Sequence, residues 1–111
     1  MRQISARELS DWLAASLADA GRAKPFLLDV REPWEFDNAS IAGSTLMPMA
    51  SVPLRLDELP RDAELVCICH HGARSMQVAM FLEGRGFEQV TNLTGGIDAW
   101  SRDVDPTVPR Y

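Results

Sequence analysis

A cysteine, two histidines, a glycine and an arginine lie within the six residues from Cys69 to Arg74. An apolar run at residues 66–68 precedes them, and helix-forming residues 75–83 follow. The first N–H groups of a helix have no intrahelical partner and carry partial positive charge, so they stabilise a nearby thiolate. Gly72 allows the backbone to curl around the sulfur. We therefore predict that Cys69 is a nucleophile at neutral pH.

The residues after Cys69 are suited to hold an anion. Arg74 adds a permanent positive charge and a fork of donors at the helix start, which suits a small anionic sulfur donor. His70 and His71 either carry partial positive charge that attracts this donor or are exposed without a role. The predicted substrate-binding set is His70, His71, Gly72, Ala73, Arg74 and Ser75.

Two other uses of these residues are less favoured. Cys67 and Cys69 are two positions apart on a predicted strand, too close for a structural disulfide, and we interpret Cys67 as inert core. Thiolate and imidazole are the usual zinc ligands. However, His70 and His71 are adjacent on a tight loop and should not direct both rings at one ion, so we predict no metal.

Short strands that alternate with helices are expected to position this loop. Ser5 and Glu8 form a capping box that predicts a helix ending near Gly21. The other predicted helices cover residues 33–38, 75–83 and 97–101, with irregular helical turns at 52–59. The predicted strands cover residues 26–30, 45–47, 65–68 and 89–93. This alternation indicates an α/β sandwich around a mainly parallel sheet.

Composition limits the class of protein. The chain has 111 residues, 46% of them hydrophobic, which predicts a single domain over residues 1–111. Its net charge of −5 argues against a nucleic-acid partner. No apolar stretch approaches the roughly 20 residues that span a bilayer, so we expect no membrane partner and a cytoplasmic location.

Four segments in a fixed order resemble a single-domain rhodanese, of the rhodanese-like sulfurtransferase family. They are DVRE from Asp29, IAGS from Ile41, CHHGARS from Cys69 and LTGGIDAW from Leu93. The resemblance implies a rhodanese-like α/β fold, with a mainly parallel five-stranded sheet and helices on both faces. We expect no cofactor.

The resemblance also implies an activity, that of a thiosulfate sulfurtransferase. Cys69 would attack the sulfane sulfur of a donor such as thiosulfate, release sulfite and hold a persulfide. Cyanide, a thiol or a protein cysteine would then accept the sulfur. The alternative is a sulfur carrier or partner-binding module without turnover. Asp29 and Arg31 are interpreted as supporting residues whose ion pair holds the loop in place.

The loop length separates sulfur chemistry from phosphate chemistry. Four residues lie between Cys69 and Arg74, whereas related phosphatases on the same scaffold have five. The shorter loop favours a sulfurtransferase over a phosphatase or arsenate reductase.

The histidine that the family often has before its Ile-Pro-Gly segment is replaced by Ser40. Gly95 and Gly96 are predicted to serve backbone geometry beside the loop. Trp34 either lines the pocket or, as is more common for an aromatic residue in a short helix, packs in the core, and we predict the core position.

Overall fold

A computed structural model describes all residues from Met1 to Tyr111 and contains five strands, four α-helices and two short 3₁₀ helices. The strands are β1 (Arg2–Ile4), β2 (Phe26–Asp29), β3 (Thr45–Leu46), β4 (Leu65–Ile68) and β5 (Val90–Leu93). The helices are α1 (Ala6–Ala18), α2 (Pro33–Asn38), α3 (Ala73–Gly84) and α4 (Gly96–Asp103), with the 3₁₀ helices at Met49–Leu54 and Leu56–Glu58.

The strands form one sheet in the order β1-β5-β4-β2-β3, and every neighbouring pair is parallel. This confirms the predicted α/β class with a parallel five-stranded sheet. Strand β1 is not among the strands predicted from residue patterns. It has three residues, of which only Ile4 is buried, so no hydrophobic periodicity marks it. Its pairing with β5, where Ile4 lies beside Leu93, defines it as a strand.

The sheet separates two hydrophobic clusters, and β4 contributes to both because successive side chains point to opposite faces. Val66 and Ile68 join the cluster that contains Trp12 of α1 and Trp100 of α4. Leu65, Cys67 and Cys69 join the cluster that contains Val78, Ala79 and Leu82 of α3. All four residues of β4 are buried, as a parallel sheet covered on both faces requires.

The helix boundaries agree with the sequence at their starts more closely than at their ends. Ser5 and Glu8 form the predicted capping box, in which each side chain accepts a backbone N–H of the other residue. Helix α1 ends at Ala18 rather than near Gly21. The prediction that Trp34 packs in the core is wrong: α2 is one and a half turns long and leaves this side chain 64% exposed.

The parallel arrangement brings the carboxyl ends of β2, β4 and β5 to one edge of the sheet. Cys69 follows β4 directly, and Asp29 ends β2. Helices α3 and α4 both begin at this edge, where ligand sites of α/β sheets form. No helix is long and apolar enough to cross a membrane.

Candidate active site

The Cys69 sulfur lies in a cradle built by the first turn of α3. The residue is 1% exposed, and its Sγ accepts the backbone N–H of Gly72 at 3.1 Å. The hydroxyl oxygen of Ser75 lies 3.3 Å from the same sulfur. Gly72 has a φ of +105°, a conformation that favours glycine, and it turns the chain so that its N–H faces the sulfur. Both groups are able to stabilise negative charge on Sγ.

The loop is held from its other side by the start of α4. The N–H groups of Ile97 and Asp98 donate to the carbonyls of Cys69 and His70 at 2.9 and 3.1 Å. A Cβ added at Gly96 would overlap both of these carbonyl oxygens. The predicted structural role of this glycine is therefore confirmed. With its carbonyls bound to α4, the loop is free to turn N–H groups toward the sulfur.

Asn92 of β5 connects the two groups that contact Sγ, and the sequence analysis did not identify it. Its Oδ1 accepts the Ser75 hydroxyl at 2.6 Å, and its Nδ2 donates to the Gly72 carbonyl at 3.3 Å. Asn92 is 1% exposed. The one signal in the sequence was an amide side chain within a buried strand, where asparagine is uncommon.

Arg74 lies at the start of α3, as predicted, but its guanidinium is paired with Glu35 of α2. Its Nη1 and Nη2 donate to the two carboxylate oxygens at 2.7 and 2.9 Å. Hydrogen bonding by Arg74 lowers the pKa of Glu35 to about 2, and Glu35 in turn raises the pKa of Arg74. The arginine predicted to bind the donor anion thus already has a carboxylate partner, which the sequence analysis missed.

The Asp29–Arg31 ion pair is present and fully buried, with Arg31 Nη2 2.7 Å from the carboxylate. The prediction was that this pair holds the cysteine loop in place, but the hydrogen bonds of Arg31 reach other residues. Arg31 instead donates to the carbonyls of Glu35 and Ala39, the last turn of α2 and its cap. The pair therefore fixes α2, and through Glu35 it positions Arg74.

Tyr111 completes the hydrogen-bond network of Arg31 and Glu35. Its hydroxyl accepts from Arg31 Nη1 at 2.7 Å and donates to Glu35 Oε2 at 2.7 Å. Burial raises the pKa of Tyr111 to about 12, so the hydroxyl keeps its proton at neutral pH. The Tyr111 ring stacks on His70 with ring centroids 3.9 Å apart. Sequence reasoning missed this residue because nothing local links it to the loop.

The two loop histidines occupy different environments. The His70 ring lies between Tyr111 and the His71 ring, each with a centroid 3.9 Å away, and its buried Nε2 has no hydrogen-bond partner. Burial lowers the pKa of His70, which favours its neutral form at neutral pH. His71 is exposed. For His70, the interpretation that the ring carries positive charge and attracts the donor is therefore the weaker of the two.

The expectation that adjacent His70 and His71 do not direct both rings at one ion is not met. His70, His71 and Asp98 present ligand atoms that all lie within 4.8 Å of one another, because the two rings stack and α4 supplies a carboxylate. Asp98 already accepts from Arg110 Nε at 3.2 Å and lies 3.5 Å from Arg102. Its negative charge is compensated by these two arginines.

Cys67 lies in β4, two residues before Cys69, and both cysteines are free. Its side chain is fully buried among apolar residues. Burial raises the pKa of Cys67 to about 12, so this thiol stays protonated and unreactive at neutral pH. Of the two cysteines, Cys69 is therefore the candidate nucleophile.

Comparison with known proteins gives consistent matches. The model of the Rhodanese-like domain family matches residues 9–103. An Allochromatium vinosum protein named "Sulfurtransferase" is 38% identical over 99 residues, covering 89% of this chain and 91% of the relative. MoeZ of Mycobacterium tuberculosis, "Probable adenylyltransferase/sulfurtransferase", is 37% identical over 110 residues, 97% of this chain but 26% of MoeZ. The crystal structure of a rhodanese-related protein from Thermoplasma volcanium has a TM-score of 0.80 at 32% identity and covers 94% of both chains.

Proposed function

The chain belongs to the rhodanese-like domain family, and on that premise we propose that it is a sulfurtransferase that carries a sulfane sulfur on Cys69 as a persulfide. The observation that carries the proposal is the pair of contacts on Cys69 Sγ, from the Gly72 N–H at 3.1 Å and from Ser75 Oγ at 3.3 Å. A buried sulfur that accepts a backbone N–H and lies beside a hydroxyl is arranged for a thiolate.

The reaction has two steps. The Cys69 thiolate attacks the sulfane sulfur of thiosulfate, a new S–S bond forms, and the old S–S bond breaks so that sulfite leaves with the electron pair. The negative charge then lies on the outer persulfide sulfur. In the second step cyanide attacks that outer sulfur, thiocyanate leaves, and the Cys69 thiolate is restored. A thiol or a protein cysteine is the corresponding acceptor in a biological setting.

The anionic donor has to approach a loop whose main cation is already paired. Arg74 has five N–H donors, and its contacts with Glu35 engage two nitrogens. Its side chain is 35% exposed, so the remaining donors reach solvent. We propose that Arg74 binds the donor while it stays on Glu35. The rest of the binding then comes from loop N–H groups between His70 and Ser75.

A phosphatase or arsenate reductase is the less favoured reaction. The loop from Cys69 to Arg74 has four intervening residues, which makes a smaller ring of N–H groups than the five-residue loop of related phosphatases. This smaller ring favours a donor whose reacting atom is a single sulfur.

Intact-protein mass spectrometry tests the proposal. Purified protein incubated with thiosulfate should gain about 32 Da, the mass of one sulfur, and cyanide should remove it. Cys69→Ser should gain nothing. Cys67→Ser is the matched control, because it changes the neighbouring buried thiol, and it should load as the wild type does. Absence of the adduct in the wild type would refute the persulfide.

The same experiment separates an enzyme from a carrier. An enzyme gives a persulfide that cyanide and small thiols discharge repeatedly, with thiocyanate accumulating in the cyanide assay. A dedicated carrier gives a persulfide that small acceptors leave intact and that only a specific protein thiol removes. Turnover of a phosphate ester or arsenate without any sulfur adduct would replace both the enzyme and the carrier interpretations with a phosphatase or arsenate reductase.

A further inference from the structure

One side chain, Asn92, anchors both groups that contact the Cys69 sulfur. Its Oδ1 binds the Ser75 hydroxyl at 2.6 Å, and its Nδ2 binds the carbonyl of Gly72 at 3.3 Å. Gly72 and Ser75 are the two residues whose donors lie within 3.3 Å of Sγ. Asn92 itself does not contact the sulfur, so any effect it has on the chemistry is transmitted through these two residues.

The Ser75 hydroxyl has one proton and two acceptors within reach. It donates either to Asn92 Oδ1, at 2.6 Å, or to Cys69 Sγ, at 3.3 Å. Ser75 is the sole hydrogen-bond donor to Oδ1, and Asn92 is buried. When the hydroxyl turns to the sulfur, Oδ1 therefore becomes an unpaired buried acceptor, which is unfavourable.

The charge on Sγ decides which acceptor receives the proton. A thiolate accepts a charge-assisted hydrogen bond, so it draws the Ser75 proton to Sγ. In a thiol, Sγ is neutral. In a persulfide, Sγ is also neutral, because the new S–S bond uses its electron pair and the negative charge lies on the outer sulfur. In both neutral states the hydroxyl returns to Asn92 Oδ1.

We propose that Asn92 is a positioning residue that, through the Ser75 hydroxyl, stabilises the states in which Cys69 Sγ is uncharged and thereby favours the sulfur-loaded enzyme over the free thiolate. The loading part of this inference rests on the proposed sulfurtransferase function. The part that concerns the free cysteine does not, because it applies to the thiol and thiolate alone.

Other charged and titratable groups surround Cys69. Cys67, on β4, is serine in every variant of the pH measurement, and the remaining groups are left in place. His70 follows in the loop, Arg74 lies at the start of α3 with its partner Glu35, and the buried Asp29–Arg31 pair lies at the end of β2. Asp98 of α4 binds the loop through its backbone N–H. A change caused by Asn92 is therefore measured against a constant electrostatic background.

The first measurement is the pH dependence of Cys69 alkylation by iodoacetamide, in a Cys67→Ser background. Asn92→Leu removes the acceptor and keeps the same branched arrangement of side-chain heavy atoms, and the midpoint of alkylation should fall by about half a pH unit to one unit. Ser75→Ala removes the donor, and the midpoint should rise. Ser75→Thr keeps a hydroxyl and should restore the wild-type midpoint.

A double-mutant cycle separates the route through Ser75 from the route through Gly72. If Asn92 acts through the hydroxyl, Asn92→Leu has no effect on the midpoint in the Ser75→Ala background. Gln3→Leu is the matched control: Gln3 Oε1 lies 3.4 Å from Asn92 Nδ2 and does not contact Ser75. We expect Gln3→Leu to leave the midpoint unchanged.

The second measurement is the loaded fraction of protein at a fixed ratio of thiosulfate to sulfite, read by intact mass. Asn92→Leu should lower the ratio of persulfide to free protein about three-fold to ten-fold.

A midpoint that is unchanged or raised in Asn92→Leu, or one that moves equally in the Ser75→Ala background, would overturn the proposal. Should Asn92→Leu fail to fold, Asn92→Ala, which also removes Oδ1, should lower the midpoint when Ser75 is present and leave it unchanged in the Ser75→Ala background, and any other result would overturn the proposal. Failure of the wild type to load sulfur at all would refute the proposed function instead.

Discussion

Arg74 and Glu35 meet beside the Cys69 loop as a two-point ion pair, with N–O distances of 2.7 and 2.9 Å. The arginine comes from the first turn of α3 and the carboxylate from α2. The carboxylate offsets part of the attraction of Arg74 for an anion, and it thereby becomes a determinant of how tightly the proposed donor binds.

Glu35→Gln should strengthen donor binding. Glutamine keeps an oxygen that accepts the Glu32 N–H, as Glu35 Oε1 does at 3.0 Å, but it removes the negative charge that competes for Arg74. We expect the KM for thiosulfate to fall about three-fold or more, with a smaller change in kcat. Arg74→Gln should have the opposite effect on KM. An unchanged KM in Glu35→Gln would show that Arg74 does not contribute to donor binding.

The same carboxylate should make stability depend on acid pH. Hydrogen bonding by Arg74 lowers the pKa of Glu35 to about 2 from its ordinary value of 4.5. The unfolded chain therefore binds a proton near pH 4.5 that the folded chain does not bind until about pH 2. Stabilisation by this group is complete above that window and declines as the pH falls through it.

Urea unfolding of wild type and Glu35→Gln measures this effect. The wild type should be more stable by roughly 1 to 3 kcal/mol at pH 7, and the difference should shrink by more than half at pH 3. A difference that is constant from pH 7 to pH 3 would contradict the ionised pair as its source.

The hydroxyl of Tyr111 should stabilise the folded protein, and its ring should stabilise the Cys69 loop by stacking on His70. Tyr111→Phe leaves Arg31 and Glu35 without their shared partner, and the free energy of unfolding should fall by about 1 to 3 kcal/mol. The stack on His70 is kept in this variant. Sulfur transfer should therefore change less than stability does, as thermal unfolding and the cyanide assay together would show.

Tyr111→Ala removes the stack as well. Burial lowers the pKa of His70, so uncovering one face of the ring should raise this pKa toward its ordinary value of 6.5. NMR titration of the histidine ring protons measures the pKa of His70 directly. Equal His70 titration in Tyr111→Phe and Tyr111→Ala would contradict a role for the ring.

Gly96→Ala should damage the site. The added Cβ overlaps the Cys69 and His70 carbonyls, and the residue has a φ of +57° that disfavours side chains. We expect a loss of more than about 2 kcal/mol in stability and a large loss of sulfur loading. Gly84→Ala is the matched control, because its Cβ has no atom within 4 Å and the residue ends α3 with an ordinary helical backbone. It should be neutral or slightly stabilising.

The sequence predicted the elements that depend on local pattern. Cys69 and Gly72 follow an apolar strand and precede a helix, so the position of the loop was visible in one short stretch. The capping box at Ser5 and Glu8 was visible for the same reason. Strand β1 was not, because three residues with one buried side chain carry no periodicity.

The residues that surround the loop could not be predicted because the chain brings them from far away. Glu35 lies 39 positions from Arg74, and Tyr111 lies 76 positions from Glu35. Their pairing depends on where α2 and residues 104–111 pack. Asn92 could be suspected only as a polar side chain within a buried strand. Trp34 was placed wrongly because a short helix leaves most of its surface in solvent.

The hydrogen bonds from α4 to the loop set an order of events during synthesis. The Cys69 and His70 carbonyls are held by N–H groups of residues 97 and 98, which the ribosome adds almost thirty residues later. A nascent chain that has exposed Cys69 but not α4 has the nucleophile without the scaffold that shapes its cradle. Formation of the complete loop therefore waits for the emergence of α4.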